Sequence, residues 1–171
     1  FCAVWSGLAA ALADPPFNLS PERIGMYATA GLTGIIVTPI AGAYTDRVGA
    51  RRVILIGLTI AGSSALVLTI ALFSTPATLV CLGVLDAGLF AAQVANQSTV
   101  LAINSAAPAQ FNGVYMVVYF VGGTLGTAFG AVGVGWLGWP ATAAVAAVAI
   151  GGSLALTVRS QSSSTRGVPR A

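Results

Sequence analysis

Asp86 is the only charged side chain between Arg52 and Arg159. Gln93 and Gln97 follow it at offsets of seven and eleven, which at about 3.6 residues per turn return to the same side of a helix. Asn96 stands beside them. Such a line of polar groups in an apolar run is costly, because a carboxylate at mid-bilayer is disfavoured by ~2.5–3.5 kcal/mol on the insertion scale. An acid kept there faces a bundle interior or an aqueous cavity, where it can exchange a proton or hold a substrate group. It can also serve only to join two helices by hydrogen bonding. Tyr115 and Tyr119 raise the same choice: their phenols can line a cavity and bind a solute, or fill a helix interface. Gly122, Gly126 and Gly130 continue their line, and a GxxxGxxxG run of this kind reads as a helix-packing face.

The rest of the composition says what must position these groups. The 171 residues are 57% hydrophobic and 6% charged, with a mean hydropathy of +0.92. That leaves too little polar surface for a water-soluble globule and points to an integral membrane chain whose first partner is the lipid bilayer. Net charge is +3, but six of the seven arginines sit in one short loop and the tail, with no basic face to follow phosphates, so nucleic acid is excluded as a partner. Histidine is absent and acids are few, which excludes an ordinary metal site. Cys2 and Cys81 lie in apolar runs and imply no disulfide framework. No nucleophile and base pair or nucleotide loop is present, so neither an enzyme nor a cofactor is expected.

Turn and charge signals divide the apolar sequence into six pieces, each expected to be helical because backbone groups in lipid must be satisfied internally. Five reach or approach the ~20 residues needed to cross about 30 Å of hydrocarbon: 24–44, 53–73, 78–102, 112–134 and 141–158, with Pro140 in the first turn of the last. Pro39 is expected to kink the first of these five. The remaining piece, Phe1 to Ala13, spans only about 20 Å before Asp14-Pro15-Pro16 breaks it. It reads as a truncated helix, the remainder of a longer polypeptide. The fold class is therefore all-α: a polytopic membrane bundle of six transmembrane helices over 1–158, followed by an unstructured polar tail over 159–171.

Arginine counting orients the bundle. The loop at 45–52, the loop at 103–112 and the tail share one side and hold every arginine except Arg23, which makes that side, with the C-terminus, cytoplasmic. Trp136 and Trp139 then fall at the outer interface. In the first of these loops Gly42 would let a helix approach a neighbour and Gly49 would permit a tight reversal. Asp46 would accept hydrogen bonds at a helix N-terminus, while Arg47, Arg51 and Arg52 hold the loop at the surface.

The ordered pattern Gly42-x-x-x-Asp46-Arg47-x-Gly49-x-Arg51-Arg52 between two spans resembles the signature of the major facilitator superfamily of secondary transporters. Val94-Ala95-Asn96-Gln97-Ser98, Asn112-Gly113-Val114-Tyr115-Met116 and Tyr119-Phe120-Val121-Gly122-Gly123 resemble later helices of bacterial drug or sugar efflux members. Related sequences often carry arginine just before the position of Asn112, where Gln110-Phe111 stand here. Phe1 to Leu12 with Trp5, and then Asp14-Pro15-Pro16-Phe17, look like the start of the second of the family's two six-helix halves.

The resemblance implies a fragment of a proton-coupled efflux transporter of the bacterial inner membrane. Its partners would be a missing N-terminal six-helix half, protons and a small drug-like or sugar-like solute. Asp86 would be the proton-coupling or substrate-binding acid, and Gln93, Asn96, Gln97, Tyr115 and Tyr119 would line the cavity. The alternative is a non-transporting membrane scaffold whose polar residues only pack helices.

Overall fold

The computed structural model describes residues 1–104 and 107–164, with side chains as far as Ser160. Helix α1 spans Cys2–Ala13. It stops where Asp14 takes an extended conformation (φ −91°, ψ 164°), the one a following proline favours. Helix α2, Pro21–Met26, has proline in its first turn and Glu22 near its positive end. It runs through a 3-10 turn, Tyr27–Gly31, into α3, Leu32–Val48. The irregular turn therefore lies well before Pro39, which α3 carries in its interior. Gly49 alone, at φ 90° and ψ 142°, links α3 to α4, Ala50–Ala71. A side chain would be strained in that backbone, so glycine is needed for the reversal. Helix α5 covers Thr75–Leu101 and α6 covers Pro108–Ser164.

Among the described residues, four stretches are long and apolar enough to cross a membrane: Pro21–Val48, Ala50–Ala71, Thr75–Leu101 and Pro108–Ser160. The short α1 is also apolar but has 12 residues, or about 18 Å. The last stretch holds a non-helical residue, Gly138 (φ 77°, ψ 166°), and the chain folds back there. A Cβ added at Gly133 would lie 3.3 Å from Thr142 Oγ1, and Tyr115 and Tyr119 share one cavity with Ser153 and Thr157. Residues 108–137 and 139–164 are thus two antiparallel limbs. The second limb stays helical through Arg159 to Ser164, so the polar tail does not begin unstructured as expected. The remainder of the tail, 165–171, lies outside the described residues.

Close backbone approaches hold the helices together. A Cβ on Gly57 would stand 2.5 Å from the Gly88 carbonyl oxygen and one on Gly88 2.5 Å from that of Gly57, so α4 and α5 cross with their backbones in contact. In lipid there is no hydrophobic drive between helices, and such packing supplies the attraction. Phe90 covers Gly34 and joins α3 to α5. Thr33 adds a 2.9 Å hydrogen bond to the Gly83 carbonyl. Leu8, Leu12, Leu68, Leu82 and Leu85 fill the core. Large apolar side chains also point outward: Ile35 is 72% exposed, Ile70 76% and Phe73 83%. Water would not tolerate that surface, whereas hydrocarbon matches it, and the chain is a multi-pass integral membrane protein.

Trp136 and Trp139 part company. Trp136 is exposed, but Trp139 is buried and donates a 2.7 Å hydrogen bond to the Leu68 carbonyl. Leu68 lies in the last turn of α4, where carbonyls lack intrahelical donors. Trp139 is therefore enclosed by neighbouring helices, while Trp136 faces outward. Trp139 clamps the second limb of α6 to α4.

Candidate functional site

The polar line on α5 meets a different partner at each level. The Trp5 indole N–H donates to Asp86 Oδ1 at 3.1 Å. Two turns on, the Tyr119 hydroxyl donates to Gln93 Oε1 at 3.0 Å. One turn further, the Gln97 amide donates to Asn112 Oδ1 at 2.8 Å. The stripe follows from helical periodicity alone. Its effect is a hydrogen-bonded seam joining α5 to α1 and to the first limb of α6.

Asp86 is fully buried. Among the described residues its Oδ2 has no hydrogen-bond partner, and it lies against Gly31, where an added Cβ would be 3.7 Å away. An unsatisfied carboxylate oxygen in such surroundings is costly.

A cavity of about 330 Å³ lies between α4, α5 and both limbs of α6, with Phe1 at its edge. Its polar lining is Gln93, Asn96, Tyr115, Tyr119, Ser153 and Thr157, and it contains no charged side chain. The two phenol rings stack at 6.2 Å. Two amides and four hydroxyls can donate and accept hydrogen bonds to an uncharged solute, while the rings offer it apolar faces.

Four of the expected cavity residues thus come together. Asp86 and Gln97 do not line this cavity: burial against α1 removes the first and the bond to Asn112 engages the second. Ser153 and Thr157 escaped the sequence reading, although their spacing of four places them on one helix face. Trp5 also escaped as the partner of Asp86. A donor-only indole in an apolar helix was the available sign.

The loop and glycine residues distribute unevenly. Asp46 lies within the last turns of α3 and is exposed, so it caps no helix N-terminus; α4 begins right after Gly49 and has no side-chain cap. Gly42 has nothing within 4 Å of an added Cβ and mediates no close approach. Arg47 and Arg52 are exposed and Arg51 half-buried. On α6, a Cβ on Gly130 would collide with the Ala3 carbonyl and Ser6 Oγ, and one on Gly126 would lie 3.4 Å from the Ala3 nitrogen. Gly122 faces open space. Of the three glycines in the line, Gly126 and Gly130 approach α1 and Gly122 does not.

Comparison with known proteins agrees with this architecture. The family model described as Major Facilitator Superfamily matches residues 1–171. "Probable transporter SCO4007" of Streptomyces coelicolor is 32% identical over 139 residues, covering 78% of this chain and 32% of the relative. "Uncharacterized transporter YgaY" of Escherichia coli O157:H7 is 29% identical over 131 residues, covering 77% and 33%. The chain spans about a third of the length of the curated relatives it matches. No solved structure matches. With a full-length family match to a multi-pass helical bundle, the chain belongs to the major facilitator superfamily.

Proposed function

We propose that this chain is the carboxyl-terminal half of a secondary transporter that exports a small solute by alternating access, with protons as the coupling ion. The observation that carries this reading is the cavity's uncharged polar lining inside an otherwise apolar bundle. On this reading α1, the 21–48 stretch, α4, α5 and the two limbs of α6 are the six helices of one half, and a second half supplies the facing wall. On the same reading the bundle lies in a bacterial inner membrane, and the arginine-rich side, with the C-terminus, faces the cytoplasm.

The test is co-production with an amino-terminal six-helix segment of the same family, followed by export assays in vesicles with uncharged sugars and aromatic drug-like solutes. Protonophore-sensitive flux supports the proposal. A stable complex that moves none of them favours a scaffold.

For Asp86 a second reading has its own observation, complete burial against Trp5. Asp86→Asn keeps an oxygen for the indole but cannot ionise. Transport that stays proton-dependent in that variant assigns Asp86 to packing; loss of coupling assigns it the proton.

A further inference from the structure

A second concavity lies on the outer surface of the bundle, in the furrow between α3 and α4. Its walls are Ile40, Tyr44 and Val48 on α3 and Val53, Ile56 and Ile60 on α4, and its floor is the α5 backbone around Gly88. At Gly57 and Gly88 the α4 and α5 backbones touch, which closes the floor with main chain and no polar side chain. All twelve residues that line its volume of about 290 Å³ are apolar apart from the Tyr44 phenol. Along α3 the furrow runs from Val48 back to Val37, about 16 Å at ~1.5 Å per residue. That is half of the ~30 Å hydrocarbon thickness, the depth of one leaflet.

One end of the furrow is the hairpin at Gly49. Arg47 follows Tyr44 by three positions and Arg52 precedes Ile56 by four, so helical spacing sets both guanidinium groups at the rim. Both are exposed. Arg51 points away on the helical wheel. A single-leaflet apolar furrow with two cations at its interfacial end has the layout of an amphiphile with an anionic head.

We infer that this furrow is a binding site for an anionic phospholipid, with the phosphate on Arg47 and Arg52 and one acyl chain along α3 and α4. The site lies outside the solute cavity and shares no residue with it. The guanidinium groups form charge-assisted bonds to phosphate oxygens, and the acyl chain fills a surface that straight chains pack without competing polar groups.

The test is native mass spectrometry of the purified chain with dioleoyl phosphatidylglycerol or dioleoyl phosphatidylcholine. The wild-type chain should prefer the anionic lipid by about thirtyfold, the ratio expected for two arginines near a membrane surface. Arg47→Gln with Arg52→Gln should abolish the preference, and lysine at both positions should restore most of it. Because both side chains are exposed, these variants leave the core intact. Ile56→Trp, which fills the furrow, should reduce binding of both lipids. Equal retention of the two lipids by the wild type, or an unchanged preference in the double glutamine variant, overturns the inference. So does efficient disulfide cross-linking between two copies carrying Ile56→Cys in bilayers, which would make the furrow an interface between copies.

Discussion

The Trp5 indole and the Asp86 carboxylate, separated by 81 positions in the sequence, are joined by a 3.1 Å hydrogen bond that ties α1 to α5. Trp5→Phe keeps the ring and removes the donor. The buried carboxylate then loses its hydrogen bond at Oδ1 while Oδ2 already lacks one, and an orphaned buried group costs about 1–3 kcal/mol or more when charged. The variant should lose that stability in detergent thermal-unfolding assays, whereas Asp86→Asn, which keeps an acceptor, should lose less. Equal stability of Trp5→Phe and wild type would show that the bond contributes nothing.

The α4 and α5 crossing is the tightest helix contact involving a glycine pair. Gly57→Ala places a methyl 2.5 Å from the Gly88 oxygen and 3.0 Å from the Ala92 nitrogen, and neither backbone can yield without separating the helices. A loss of about 1–3 kcal/mol is expected, typical of overpacking. Gly42→Ala, in open space on the preceding helix, serves as the control and should be neutral or slightly stabilising. Thermal midpoints of the two purified variants check the contrast.

Along the α6 glycine line the effect should change with position. Gly130→Ala pushes against the Ala3 carbonyl and Ser6, while Gly122→Ala meets nothing. Contact between α1 and α6 can be followed by oxidative cross-linking, since a Cβ at Gly123 would lie 3.6 Å from Cys2 Sγ. Gly123→Cys should cross-link readily to Cys2, adding Gly122→Ala should leave the yield unchanged, and adding Gly130→Ala should lower it severalfold. An undiminished yield with Gly130→Ala would contradict the packing.

Trp139 and Trp136 lie three residues apart and should respond differently. Trp139→Phe removes the 2.7 Å bond to Leu68, at a cost of about 0.5–1.5 kcal/mol. Trp136 is 84% exposed, and Trp136→Phe should change the unfolding midpoint little. The same detergent unfolding assay distinguishes them.

The amino-acid sequence by itself determined that the chain is helical and membrane-embedded, roughly where its long helices run, and that Asp86, Gln93 and Gln97 share a face. These follow from composition and from a 3.6-residue period, both local properties. Tertiary structure decided who meets whom: Trp5 with Asp86, Tyr119 with Gln93, Asn112 with Gln97, and which glycines of a regular line touch a neighbour. It also moved Asp46 off the helix N-terminus, buried Trp139 and excluded Asp86 from the cavity. In lipid the outward and inward faces of a helix are nearly equally apolar, so the sequence pattern carries little information about neighbours. That information lies in shape and in long-range hydrogen bonds, which exist only once the helices have packed.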